Sequence, residues 1–248
     1  MIPIFGEGGT GKTTLAQVLA REFDPYRSGA PRGYKLSLDY EHDLTYSYKG
    51  NVWATFVGLA GQRQFRGADS TWRKYLKKIE DGSCCRFVHV CSYGFHSIGY
   101  SWRYHPLAEE RDDGTAPTKS EFIAAFTAEQ RDREIEVVRD ILKAAAKSES
   151  TVRMMTFVAK QDLWWEQRKE VKNFYELSGD YAEVVKDAAS DAFTHSTVSC
   201  SLVHRNFRDG HGNILANTAA GYESETRLAN LDYSLKGIRS LFTRSRKR

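Results

Sequence analysis

Cysteine is scarce in this chain, and what there is fits no obvious metal or disulfide pattern. Four cysteines occur in 248 residues: Cys84, Cys85, Cys91 and Cys200. Their spacing matches neither a zinc site nor a secreted disulfide framework. Three of them lie in or beside apolar, strand-like runs, the usual place of a reduced, buried thiol. The expected compartment is therefore reducing and cytoplasmic. Long apolar runs are missing as well. No stretch of about 18 apolar residues exists, so no membrane-spanning helix is expected. Gly6 interrupts the apolar start too early for a secretory leader.

A charge surplus is also lacking over most of the chain. The net charge is +4, but residues Arg239 to Arg248 carry five basic residues and no acid, which leaves the other 238 at −1. The body thus lacks the basic footprint of a nucleic-acid binder. The tail at 239–248 has two readings: a solvated end, or a contact for acidic headgroups or nucleic acid. No C-terminal lipidation box is present. A hydrophobic fraction of 41% suffices for a buried core, and the length suits one domain over 1–248.

What the chain does have is Gly6-Glu7-Gly8-Gly9-Thr10-Gly11-Lys12-Thr13-Thr14. This is G-x-x-x-x-G-K-T, a phosphate-binding loop (Walker A). Its glycines let backbone N–H groups turn inward as a nest for a β-phosphate. Lys12 reaches the β- and γ-phosphates, and the Thr13 hydroxyl ligates Mg²⁺. A helix opening at Lys12 adds the positive end of its dipole. A bare Gly-rich turn would bind nothing. Apolar Ile2-Pro3-Ile4-Phe5 before the loop and the helical pattern Leu15, Val18, Leu19, Phe23 after it favour the phosphate reading. Asp24-Pro25 ends that helix.

Two strand-like runs follow, 44–48 and 52–57, joined by a turn at Lys49-Gly50-Asn51. Next comes Gly58-Leu59-Ala60-Gly61-Gln62. Phosphate loop, hairpin and then A-G-Q is the order found in Ras-like small GTPases, whose second switch reads D-x-A-G-Q, and the chain resembles that superfamily. The resemblance implies that the Gly61 N–H meets the γ-phosphate and that Gln62 orients the attacking water. It departs at Gly58, where the family's Mg²⁺-holding Asp would stand. Ser37 lies at the right distance before the turn to act as the switch-one hydroxyl on the metal. Thr45 is its rival, and Ser37 as plain loop surface is the third reading.

Asp69 to Glu80 reads as a helix with Trp72, Leu76 and Ile79 facing a core, and Cys84 to Tyr93 as a buried strand containing His89. A lone His in such a run is ordinarily structural. The segment 94–117 has no periodicity. It is aromatic first (Phe95, Tyr100, Trp102, Tyr104) and charged later, and reads as a surface insertion. Its aromatics either meet a partner or cap the core. Capping-box patterns stand at Thr118 with Glu121 and at Thr127 with Gln130, opening a helix to about Lys147.

The strand 151–158 then delivers Ala159-Lys160-Gln161-Asp162-Leu163-Trp164. The resemblance matches this to the guanine motif N/T-K-x-D. Asp162 would accept from guanine N1–H and N2–H₂, a donor pair that adenine lacks, and the Lys160 stem would cover the base. Ala159 replaces the Asn that ties this loop to the phosphate loop, and Leu163 follows the motif at the base. Ser199-Cys200-Ser201-Leu202, after the last strand, matches the family's S-A-K/L. That places Cys200 and Ser201 near guanine O6, with the register open by one or two positions. Residues 209–213 read as a turn-rich loop or small hairpin. A helix from Ser224 carries the stripe Leu228, Leu231, Leu235, Ile238 and Phe242.

The expected fold is α/β, a mostly parallel sheet flanked by helices, with nucleotide at the carboxyl ends of the strands. The resemblance implies a Ras-like GTPase domain binding GTP/GDP and Mg²⁺, with slow hydrolysis and a protein partner at the switches or at 94–117. The departures resemble divergent bacterial GTPase-like proteins. Two alternatives stand beside it: a pseudo-GTPase scaffold, and an ATPase or small-molecule kinase of the phosphate-loop class.

Overall fold

The computed structural model describes residues 2–20, 24–26, 42–48, 51–59, 61, 64, 66–67, 69–112 and 114–241. Ser37, Gln62 and residues 242–248 lie outside the described residues. The strands are β1 (Ile2–Phe5), β2 (His42–Tyr48), β3 (Asn51–Gly58), β4 (Arg86–Cys91), β5 (Val152–Val158) and β6 (Phe193–Ser199). They form one sheet in the order β2-β3-β1-β4-β5-β6. β3, β1, β4, β5 and β6 run parallel, and β2 pairs antiparallel with β3. This is the expected α/β architecture.

Side-chain alternation sorts the sheet into two packed faces. From β1, Phe5 packs toward the helices α2 (Thr71–Glu80), α3 (Lys119–Ala145) and α6 (Asp180–Asp187), as Phe87, Cys91, Met154 and Val158 do from β4 and β5. Ile4, Val88, Val90, Met155 and Phe157 pack the other way, toward α1 (Lys12–Leu19) and α7 (Ser224–Ser240). β1 sits between β3 and β4, where the order of connection reverses, and the loop after it opens at the carboxyl end of the sheet. That is the crevice where open α/β sheets take their ligands.

Several elements differ from expectation for local reasons. Thr118 and Glu121 form a complete capping box, but Thr127 starts nothing. Its hydroxyl donates back to the Ile123 carbonyl at 2.8 Å inside one continuous helix. The segment 94–117 is only partly surface. Phe95, His96, Ile98 and Ser101 are buried, and 3₁₀ turns at 102–104 and 106–108 follow. Its aromatics do cap the core: Trp102 and His105 pack on Phe122, and Phe95 on Phe207. The helical stretch after β5 is broken into α4 (Gln161–Trp164), α5 (Arg168–Lys172), a π turn at 173–177 and α6, with a break at Ser178-Gly179. The hairpin is β7 (Phe207–Arg208) with β8 (Ile214–Ala216). On α7, Leu231, Leu235, Ile238 and Leu241 are buried, whereas Leu228 is exposed. No described helix is long and apolar enough to cross a membrane.

Phe122 is wholly buried where α3 meets the 94–108 segment. Phe122→Ala is expected to cost about 3–5 kcal/mol, read from urea unfolding midpoints.

Candidate functional site

The loop after β1 has the backbone its glycines predict. Gly6, Gly9 and Gly11 have φ of 141°, 78° and 108°, and Gly11 caps α1 in the left-handed region. At Gly9 space matters too: a Cβ there would lie 2.5 Å from the Ser97 backbone N. Thr10 is fully buried, its hydroxyl donating to the Glu7 carbonyl at 3.1 Å. Lys12 Nζ donates to the same carbonyl at 2.6 Å. Burial lowers the Lys12 ammonium to about 7, with Glu7 opposing and Arg66 reinforcing the shift. Gly8 is half-buried in the turn, and Thr13 is half-buried in the first turn of α1. Glu7 is paired with Arg66.

Strand β5 ends at a second loop. Ala159 is buried, and Lys160 follows with φ of 58°, a conformation uncommon outside glycine. Tyr93, after β4, is the other described non-glycine residue with positive φ. Lys160 Nζ donates to the Gly9 carbonyl at 2.8 Å and also to the Phe95 carbonyl. The tie between this loop and the loop after β1, for which Ala159 has no side chain, is thus made by the ammonium. Its pKa is lowered to about 7 by burial, then by Arg205, with Asp162 opposing.

Asp162 is 1% exposed at the start of α4. Its Oδ1 accepts from the Ser201 hydroxyl, and its Oδ2 from the Arg205 backbone N–H at 3.0 Å. Burial raises its pKa, and these two donors hold it back. Each carboxylate oxygen has two acceptor sites, so Asp162 is oriented by its own chain and retains acceptor capacity. Ser201 also receives the Asp162 backbone N–H at 2.8 Å. Arg227 of α7 donates to the Ser201 and Leu202 carbonyls at 3.2 and 3.1 Å, pinning this loop from below.

These pieces surround one cavity of about 390 Å³, within the range of small-ligand sites. Thr10, Gly11 and Thr14 line it from the phosphate-loop motif and the start of α1, and Lys160, Asp162 and Leu163 from the loop after β5 and the start of α4. Ser201 touches it through Asp162. Cys200 does not line it; it is wholly buried in the α1–α7 core, and Leu202 and Val203 take the lining positions.

Other walls carry no sequence motif. Ser97, Ile98 and Gly99 come from the 94–117 segment, Arg205 from the loop before β7, and Phe207, Asp209 and Gly210 from the β7–β8 hairpin. The two walls touch, with the Gly210 N–H on the Tyr100 carbonyl at 3.1 Å and the Trp102 N–H on Asp209 at 3.1 Å. Buried Glu134 of α3 anchors the first wall, accepting from Ser92 N–H at 2.8 Å, His96 Nε2 at 2.9 Å and Tyr175 OH at 2.5 Å. Burial pushes its carboxyl up, yet these donors outweigh it and hold the pKa below the usual value. The only trace of this in sequence is a Glu at a core-facing position of α3, on a buried face that also carries Thr127 and Gln130. His89 bonds Tyr181 at 2.7 Å inside the core and is kept neutral by burial, its pKa about 3. It is structural.

Gly61 reaches the phosphate loop: a Cβ on it would lie 2.2 Å from the Gly6 carbonyl oxygen and 2.5 Å from Lys12 Nζ. Among the described residues, no group of three His, Cys, Asp or Glu side chains is placed to hold a metal. Gly58 ends β3 with open space around its would-be Cβ.

No protein-family model matches the chain, and no curated protein does. Among solved structures, it is similar to the GDP complex of the signal recognition particle receptor β subunit from Chaetomium thermophilum. That match has 13% identity and a TM-score of 0.39, over 93% of this chain and 97% of that one. It is also similar to the GTP-bound GTPase-like domain of S. cerevisiae Ski7, at 13% identity and a TM-score of 0.38, over 94% of this chain and 50% of that one.

The lowered Lys12 pKa fixes two pH dependences. Between pH 7 and the ordinary 10.5, the unfolded chain holds a proton on Lys12 that the folded one lacks. Raising pH through that window therefore stabilises the ligand-free fold. A bound phosphate favours the charged lysine, so binding takes up a proton above pH 7. If a triphosphate binds against Lys12, its affinity is expected to fall by up to about tenfold per unit above pH 7. Calorimetry at pH 8 in buffers of different ionisation enthalpy checks this; no proton uptake would contradict it.

Proposed function

We propose that this chain binds a guanine nucleotide with Mg²⁺, as a Ras-like phosphate-loop protein, and slowly hydrolyses GTP to GDP. The observation that carries the reading is one cavity lined both by the phosphate loop and by a buried, pre-oriented Asp162. The loop amides and Lys12 neutralise phosphate charge, and Asp162 selects guanine by accepting its two edge donors. Leu163, Leu202 and Val203 supply apolar walls, and the Lys160 stem covers the base. A base without that donor pair would leave Asp162 buried and under-satisfied, which costs about 1–3 kcal/mol or more.

The described donors suit Mg²⁺ only as an ion carried by the nucleotide. Thr13 offers one hydroxyl, and Mg²⁺ habitually keeps waters and takes phosphate oxygens. When bound, the ion neutralises charge on the β- and γ-phosphates. Ser37 is proposed as a further hydroxyl on it and Gln62 as the residue that orients the attacking water. A protein partner is proposed at the switches or over Tyr100 and Tyr104, which are 44% and 76% exposed.

Gly58 favours a second reading, a nucleotide-binding scaffold without turnover. Because space is open there, Gly58→Asp is expected to raise Mg²⁺-dependent single-turnover hydrolysis at least tenfold. An unchanged rate would mean that the missing carboxylate does not limit the chemistry. Base reading is tested separately: Asp162→Asn should weaken GDP at least tenfold and shift preference to xanthosine diphosphate. A variant that binds each diphosphate as tightly as the parent does would remove Asp162 as the base reader.

A further inference from the structure

One wall of the cavity runs from the phosphate loop to Asp162 and belongs to neither. Ser97, Gly99, Asp209 and Gly210 line the cavity along it. At one end it is fastened to the phosphate loop: the Ser97 N–H donates to the Gly9 carbonyl at 3.2 Å, and the Ser97 hydroxyl to the same carbonyl at 3.3 Å. At the other end the chain is rooted on Asp162 both before and after the β7–β8 hairpin. The Arg205 N–H donates to Asp162 Oδ2 at 3.0 Å, and the Ala219 N–H to the Asp162 backbone carbonyl at 2.6 Å. Between the two ends the hairpin crosses the 97–102 strand of chain. The Gly210 N–H donates to the Tyr100 carbonyl at 3.1 Å, and a Cβ on Gly210 would lie 2.2 Å from the Gly99 carbonyl oxygen. Asp209 locks the crossing. It is buried, and its carboxylate accepts from the N–H groups of Trp102, His211 and Asn213 and from the Asn213 side-chain amide, all at 2.9 to 3.1 Å.

The packing behind this wall makes it stiff. Phe207 is buried, edge-on to Phe95 at 5.5 Å and tilted on Phe126 of α3 at 6.4 Å. The Lys119 ammonium of α3 donates to the Ile214 carbonyl at 2.9 Å. In any nucleotide the sugar lies between phosphates and base. A stiff wall fastened at the phosphate end and at the base end therefore passes along the sugar.

We infer that the crossing of Gly99-Tyr100 with Asp209-Gly210 is the specificity-determining wall for the sugar: the site takes free mononucleotides with unsubstituted 2′- and 3′-hydroxyls and rejects those extended there, by an acyl group or by a further nucleotide. This rests on the nucleotide reading above but not on which base is read. Selectivity of this kind comes from a clash with the wrong ligand and needs no added attraction to the right one.

The test is calorimetric titration of the full chain with GDP and with 2′(3′)-O-(N-methylanthraniloyl)-GDP. The parent should bind the ester at least about thirtyfold more weakly, the scale of overpacking a filled site. Equal affinity for the two overturns the inference. Backbone at Gly210 is not left-handed, so Gly210→Ala adds no strain of its own, and its methyl group forces the two walls apart at Gly99. That variant should narrow the gap between GDP and ester at least about fivefold. Asp209→Ala unlocks the same crossing by a different route and should narrow the gap too, which keeps the test open if the alanine at 210 prevents folding. Folded variants that keep the parent's gap overturn the inference. So does loss of GDP and ester by the same factor, because the wall would then hold the phosphates or the base. If the parent binds no GDP, the guanine reading fails, and ADP with its anthraniloyl ester decides the sugar wall by the same comparison. Binding of neither diphosphate overturns both.

Discussion

One ammonium group joins three loops that have no sequence relation to one another. Lys160 leaves the end of β5 in a left-handed conformation and donates to the carbonyls of Gly9 and Phe95. The loops after β1 and β5 and the segment after β4 are therefore held at fixed separations. A cavity bounded by loops from separate strands has its shape set by such cross-loop contacts. The cost is visible in the strained φ of Lys160 and in an ammonium driven down to about 7 by burial.

Around that joint, buried polar groups are placed by partners on other elements. Glu134 on α3 holds the loop that carries Phe95 and Ser97. Arg227 on α7 holds the loop that carries Ser201 and Leu202, and Ser201 orients Asp162. Each is a charge or dipole removed from water and compensated by two or more hydrogen bonds, which is the condition for burying it at all. The helices thus serve the site as well as the core. Their apolar faces pack the sheet, and single polar positions on those faces fix loops at its carboxyl edge.

Much of this was legible in the sequence where local chemistry dictates local geometry. Gly6, Gly9 and Gly11 announce left-handed backbone, the apolar runs of β1, β4 and β5 announce a sheet covered on both faces, and Thr118 with Glu121 announces the start of α3. Asp162 was legible as a candidate because Lys160-x-Asp162 follows a strand end, and it lines the cavity. Less was legible where contacts join distant segments. Nothing in 94–117 shows that Ser97 abuts Gly9, because that segment lacks periodicity and its burial is set by the hairpin at 207–216. The Thr127 box misled because a mid-helix hydroxyl can bond back to its own helix. Cys200 misled because, directly after β6, its side chain still faces the α1–α7 core as Val198 does. The Arg66–Glu7 pair spans 59 positions and leaves no pattern.

The central claim is that the cavity takes a guanine nucleotide. The most direct measurement is identification of the nucleotide released by denaturing the purified protein, with titration of the emptied protein by GDP and ADP. Guanine nucleotide in the extract, and at least hundredfold tighter binding of GDP than ADP, is the expected result, the scale at which a site with a buried polar reader discriminates. Recovery of ATP or ADP, or equal binding of the two diphosphates, would contradict it.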